Sequence, residues 1–438
     1  MTKAAPADPA QRYVASFERR RTAGAEPAWL DQVRKDALAS FAEQGFPTTK
    51  EEAWRYTSVA ALARTPFEAA PQGARAEELD APELERLLLG DWDACRVVFV
   101  NGRHAPILSR GAGALVEPLG AAIRRDEAAL RGHLTQVAGP LDNPFTALNT
   151  ALFEDGALVR IPRGTALPGP LHIVFVTTSD GAPLVTYPRC LVVAEAGSQA
   201  ALVESYVGAP ATVSFTNTVT EIQVDEGATV EHTRVQRESP GVSHIGALHA
   251  RLARNATLVS HAITLGASLS RIDVRAELAG TGADVTLNGL YVLSGSQHAD
   301  HHTLVDHVAP HGTSRELYKG VLDGQSRGVF DGTIVVRQDA QKTDSRQENR
   351  NLILSGEALV DSKPTLRIHA DDVKCSHAAT IGQMDENAMF YLRTRALDPG
   401  AARQLLIHAF VVDVLSRLRV VPLRAALETM LSAGEVAS

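Results

Sequence analysis

Cysteine is scarce in this 438-residue chain: Cys95, Cys190 and Cys375 stand far apart and form no CxxC pair. A set this small and scattered excludes a disulfide framework and a self-contained cysteine-ligated cluster, and it fits a reducing compartment. Aromatic residues are also few, at 5%, whereas glycine is frequent, at 33 residues. That balance suits closely stacked strands joined by tight turns. No apolar stretch approaches the roughly 20 residues of a membrane helix; the longest, such as 171–176, are far shorter. The first residues lack the apolar segment of a signal peptide. Positive charge is not in excess, since 43 basic against 51 acidic residues give a net charge of −8. A nucleic-acid partner would need a basic face. Neither a GxxxxGKS/T nor a GxSxG string occurs, so the chain builds no P-loop and no nucleophile elbow of its own. The expectation is a soluble cytoplasmic protein with no membrane or nucleic-acid partner.

What the chain does contain changes character twice. Residues 10–65 read as helical, with apolar residues at helical spacing over 28–44 and a stop at Gly45 and Pro47. In Pro47-Thr-Thr-Lys-Glu-Glu-Ala-Trp-Arg-Tyr56, Thr48 or Thr49 is placed to cap a helix, Glu51 and Glu52 to meet its dipole, and Trp54 and Tyr56 to pack. A linker is expected at 66–80, a hairpin turning at Asn101-Gly102, and a helix over 121–134. From 143 to 153 a short helix opens on Pro144. Beyond Gly156, up to about Ile381, helical periodicity vanishes and short strands alternate with Gly, Asn or Asp turns.

Gly197, Gly227, Asn255, Gly282 and Gly312 each open an alternating strand, at spacings of 30, 28, 27 and 30 residues. Gly and Asn tolerate left-handed corners, and a drifting period without intervening helices predicts a solenoid of β-coils rather than a sandwich. The last 54 residues return to helix, over 385–396, 398–419 with Asp398 and Pro399 at its start, and from Pro422 to about Ala433-Gly434. These helices suit either a cap on the solenoid's open end or a docking surface for a partner. Leu405, Leu406, Ala409 and Phe410 belong to more apolar surface than one helix stripe needs.

One stretch carries the candidate chemistry, Asp371-Asp-Val-Lys-Cys-Ser-His-Ala-Ala-Thr380. On a strand, Val373, Cys375, His377, Ala379 and Ile381 share one side, while Asp372, Lys374, Ser376 and Thr380 take the other. Residues i and i+2 then lie roughly 6.5 Å apart on one face. A thiolate and an imidazole so placed can hold a soft or borderline metal or a sulfur species, but two ligands do not complete a site. Either another chain supplies the rest, or Cys375 is plain core and His377 a hydrogen-bonding neighbour.

Two other constellations compete. The run 296–311 holds His298, His301, His302, His307 and His311, with His298, Asp300 and His302 on one strand face; it admits a stand-alone metal site or polar strand ladders. Asp323, Asp331, Asp339 and Asp344 admit the paired acids of a β-helical glycan-active enzyme, though several stand in Asp-Gly turns.

Read in order, Ser314-Arg-Glu-Leu-Tyr-Lys-Gly-Val321, Gly328-Val-Phe-Asp-Gly-Thr-Ile-Val-Val336 and Thr343-Asp-Ser-Arg-Gln-Glu-Asn-Arg-Asn-Leu352 resemble the SufB/SufD family of iron–sulfur cluster assembly proteins. Lys363-Pro-Thr-Leu366, Ala370-Asp-Asp-Val-Lys-Cys-Ser-His377 and Phe390-Tyr-Leu-Arg-Thr-Arg395 continue the likeness, which is dense over 296–397. Residues 47–56 and 143–153 are similar to the SufD branch in particular, as is the low cysteine count. The resemblance implies a mainly β protein: a right-handed parallel β-helix core (143–382) between an N-terminal helical or mixed domain (1–142) and a C-terminal α-helical domain (383–438).

It implies a non-catalytic scaffold acting with a SufB paralogue and a SufC ABC-type ATPase, and a possible homodimer in isolation. The ATPase would grip the C-terminal helices, making Leu405, Leu406, Ala409 and Phe410 a docking face. Cys375 and His377 would lie at the junction with SufB, which brings its own cysteine and carboxylate. There they would serve iron or a transient iron–sulfur cluster that the lone chain does not hold tightly, with His377 the first candidate as iron ligand or helper and Cys375 the second. Ala378 stands where the family often has Gly, and Arg367 where an acid is common.

Overall fold

Strands dominate the computed structural model, which describes residues 9–22, 26–70, 79–90, 92, 95–111, 113, 115–139, 143–179, 182–209 and 212–432. Two long sheets run through it. From Arg189–Ala194 and Gln199–Gly208 onward, successive strands alternate between the sheets, each pairing in parallel with the strand two places ahead. The last pairs are Arg327–Val336 with Leu359–Ile368, and Asp344–Ile353 with Lys374–Gln383. This is a parallel β-solenoid, as expected from the spacing. Its corners are where the sequence puts them: Gly197, Gly227, Asn255 and Gly282 all have positive φ.

The fifth corner differs. His311, not Gly312, takes the left-handed conformation (φ 61°). Gly312 is needed for another reason, because a Cβ there would stand 2.7 Å from Nδ1 of the His307 ring.

Both sheets extend into the N-terminal part. Cys95–Val100 pairs in parallel with Leu171–Thr177 and forms the expected hairpin with Arg103–His104 through Asn101 (φ 50°) and Gly102 (φ 80°). Val116–Pro118 joins Gly156–Ile161. The helix expected over 121–134 is two short ones, Leu119–Arg125 and Glu127–Arg131, because Asp126 leaves helical geometry (φ −142°, ψ 76°). Of the linker expected at 66–80, residues 71–78 lie outside the described residues, and Glu68–Ala69 pairs with Leu184–Thr186.

Coverage of the outer faces follows from which strand residues point outward. On one sheet Leu191, Val193, Phe215 and Ile245 form an apolar patch, and Gln11–Thr22, Ala28–Gln44 and Pro144–Leu152 bury it with Tyr13, Phe41, Phe145 and Leu148. Asn143 caps the last of these helices by accepting from Thr146 N at 2.8 Å. Asn149 then donates to the carbonyls of Pro188 (3.0 Å) and Asn217 (2.8 Å), tying helix to sheet. On the other sheet Val203, Val235, Ile263, Leu290, Leu317 and Val321 point outward. They are covered by Val411, Val414 and Leu415 of helix Pro399–Leu415 and by Leu423 and Leu427 of helix Val421–Ser432. The C-terminal helices therefore lie along the flank and do not cap the end, since a row of outward apolar residues attracts them there. Their starts match expectation, with Asp398 accepting from Gly400 N and Ala401 N; residues 433–434, where the last was expected to stop, lie outside the described residues.

Candidate functional site

Among the described residues, no strand follows the last coil of the solenoid. Leu359–Ile368 and Lys374–Gln383 are the terminal strands of their sheets, each paired on one side only. In the strand before the last, Ser345, Gln347, Asn349 and Asn351 are buried in the lumen while Arg346 and Arg350 are exposed. Register stacks Cys375 on Ser345, His377 on Gln347 and Ile381 on Asn351. Cys375, His377, Ala379 and Ile381 therefore share one face, as alternation predicts, and that face points into the lumen at its open end. Cys375 is half-buried, His377 is exposed, and Ile381 keeps 50% of its surface.

Cys190 and Cys375 differ in chemistry. Cys190 is fully buried, and burial together with the neighbouring Glu204 carboxylate drives its thiol well above the ordinary range. A thiol so placed is a poor thiolate source. Cys375 is also raised, first by partial burial and then by the Asp344 charge, with the Ser345 backbone amide opposing. Unlike Cys190, it opens on the coil's free face. Among the described residues no group of three or more His, Cys, Asp or Glu side chains could hold a metal ion. The pair Cys375 and His377 offers two donors, short of a complete ligand set.

Beneath each of the two lies a polar column that the sequence reading missed. Under Cys375, Ser345 Oγ and Ser314 Oγ are 2.7 Å apart, and Ser314 Oγ meets His307 Nε2 at 2.9 Å. Under His377, Gln347 Nε2 donates to Glu316 Oε2 at 3.2 Å, and Thr303 Oγ1 donates to the same oxygen at 2.7 Å. One coil deeper the positions are Val285 and Leu287, both in the apolar core. Burial pushes the Glu316 carboxyl up to about 7 against the lowering effect of Thr303 and Gln347. A signal was present in the sequence: stepping back one coil from His377 reaches Gln347, and one more reaches Glu316.

The histidine run is divided between two faces. His301 and His307 point inward; His301 stands between the rings of Tyr291 and Tyr318, at 5.2 and 5.6 Å between centroids. Burial depresses His301 to about 3 and His307 to about 4. His298, Asp300 and His302 share the outward face, as expected, but their partners come from the N-terminal string. Thr57 Oγ1 donates to Asp300 at 2.5 Å and bonds His298 at 2.9 Å. Arg271 reaches Asp300 and Asp273, both at 2.9 Å, donates to Ala53 O at 2.7 Å, and lies 3.7 Å over the Trp54 ring. Burial alone would raise the Asp300 carboxyl, yet the charges of His302 and Arg271 and the bonds from His302 and Thr57 hold it well below the ordinary range.

The string 47–57 is thus a clamp on the solenoid flank. It reaches the last coil through Glu52, which pairs with Lys363 at 2.7 Å. Its own fold departs from expectation: Thr48 and Thr49 cap nothing, Thr48 N donates to the Glu51 carboxylate at 2.8 Å, and only a short turn of helix forms over Glu52–Trp54.

The aspartates stand apart from one another, Asp323 with Arg403 at 2.8 Å, Asp331 with Lys363 at 3.5 Å and Asp344 with Arg315 at 2.9 Å. Asp339 lies in a turn. On helix Pro399–Leu415, Leu405 and Ala409 are exposed, while Leu406 and Phe410 are half-buried. Phe410 is engaged by Lys319, whose Nζ lies 4.7 Å over the ring and donates to the Phe410 carbonyl at 3.0 Å. The preceding helix, Glu386–Thr394, buries no side chain and leaves Phe390 and Tyr391 at 69% and 56% exposure.

The described residues thus define a parallel β-solenoid protein with a cysteine–histidine pair on its end coil. Residues 175–410 match the family "SUF system FeS cluster assembly, SufBD core domain", and residues 7–173 match the "SufBD protein N-terminal region". The chain belongs to the SufBD family of iron–sulfur cluster assembly proteins. It is 34% identical over 432 residues to an iron–sulfur cluster assembly SufBD family protein of Synechocystis, covering 95% of this chain and 93% of that one. It is 31% identical to the iron–sulfur cluster assembly protein SufD of Escherichia coli, over 87% and 88% of the two chains. With SufD of Bacillus subtilis it shares 25% identity over 93% and 94%.

Proposed function

We propose that this chain is the SufD-type scaffold subunit of a cytoplasmic cluster-assembly complex, with no catalytic activity of its own. Its end coil joins the corresponding coil of a SufB paralogue, and Cys375 and His377 complete a shared site there. The observation that carries this reading is the open end coil itself: two unpaired parallel edges surround a lumen mouth that presents a thiol and an imidazole and too few ligands to hold iron alone. The iron or nascent cluster is the cargo of that site. The SufC-type ATPase docks through the exposed part of the C-terminal helices, with Leu405 and Ala409 on the accessible face and Leu406 and Phe410 supporting it. A SufC pair closing on ATP would strain the junction and alternate the site between closed and open states.

The test is reconstitution with the SufB and SufC homologues from the same genome, under anaerobic conditions, with cluster formation followed by visible absorption. His377→Ala and Cys375→Ala should both leave the isolated chain folded, since His377 is exposed and Cys375 only half-buried on the end coil. The His377 variant should lose most cluster formation and the Cys375 variant part of it. Full cluster formation by the double variant, or failure of the three chains to associate, would overturn the proposal.

A further inference from the structure

Gln347 is only 1% exposed, yet its side-chain oxygen Oε1 has no hydrogen-bond partner. Buried polar atoms in native proteins are nearly always paired, so a donor is wanted at that oxygen. While Glu316 is ionised, the amide is not free to turn over. Its Nε2 donates to Glu316 Oε2, which also accepts from Thr303, and a flipped amide would set its oxygen against that carboxylate oxygen. With the nitrogen held toward Glu316, the oxygen is left for the next coil. There, in register with Gln347, stands His377, one strand spacing of about 4.8 Å away. Its imidazole is the nearest side chain in that column able to donate.

We propose that Gln347 and Glu316 are positioning residues for His377. Gln347 Oε1 accepts one ring N–H of His377, and Glu316 fixes the amide orientation that makes this possible. A ring nitrogen that donates inward carries the proton of the neutral imidazole, so the other nitrogen presents its lone pair outward across the end coil. The brace thus selects one tautomer before any partner arrives. A buried carboxylate in an otherwise closed column costs free energy, which this arrangement accounts for. The purpose of the brace rests on the role proposed for His377; its existence does not.

The measurement is the imidazole nitrogen spectrum of the full chain labelled with nitrogen-15 histidine, the His377 signals being those that vanish in His377→Gln. In the parent chain at pH 8, where Glu316 is ionised, the neutral form of His377 should be a single tautomer. Gln347→Met, similar in shape but without the acceptor, should convert it to the averaged signals of two exchanging tautomers, and Glu316→Leu, which frees the amide to turn, should give partial averaging. Averaged signals in the parent chain, or a single tautomer unmoved by either substitution, would overturn the proposal; the parent spectrum decides even where a variant fails to fold. A braced His377 whose removal leaves cluster formation intact would instead sink the shared-site reading and spare the brace.

Discussion

Glu316 sits on the inward row of its strand, 3% exposed, with two neutral donors on one oxygen and none on the other. Burial lifts its carboxyl from 4.5 to about 7. A raised acid binds its proton more tightly in the folded chain, so its effect is nil below about pH 4.5, grows as pH rises, and is complete above about 7. The full penalty is of order 3 kcal/mol. Glu316→Gln, which keeps an acceptor for Thr303, should therefore melt higher than the parent at pH 8, with the difference fading toward pH 5. A difference that stays constant across that range would contradict the burial account. His301 and His307 work in the other direction: depressed to about 3 and about 4, they hold their full contribution above the ordinary 6.5 and lose it as pH falls below that.

The clamp formed by residues 47–57 shows where sequence reasoning stops. Alternation put His298, Asp300 and His302 on one face, and glycine and asparagine marked four of the five corners, because both signals are local. The partners of those residues were invisible, since Ala53 and Arg271 are 218 positions apart and no period connects them. Likewise, alternation placed Cys375 and His377 together but not which way their face turned, which depends on the coil beneath. Trp54→Ala removes the ring under Arg271 and leaves a buried cavity, at a cost of about 3–5 kcal/mol. Urea unfolding should show that loss, and limited proteolysis should show faster cleavage within 45–60; unchanged stability would mean the clamp is idle.

The C-terminal helices cover one flank and the N-terminal helices the other, while among the described residues the end coil keeps its outer strand edges unpaired. Ile381 is half exposed there and points into the mouth of the lumen. Ile381→Asp should leave the isolated chain's melting temperature unchanged and weaken association with the SufB homologue by at least about tenfold, or about 1.4 kcal/mol, because a carboxylate would be desolvated at the junction. Sedimentation of equimolar mixtures would read the change directly, and unweakened association would move the junction away from this coil.

Ending two parallel sheets in mid-ladder has a consequence for synthesis. Unpaired strand edges are templates for further strands, and among the described residues no strand pairs with these. A copy with no partner on this coil leaves those backbone groups to water or to the edge of another copy. Made in excess of the partner proposed above, this chain should therefore pair with itself through the end coil as its concentration rises, which sedimentation of the purified chain over a dilution series would show.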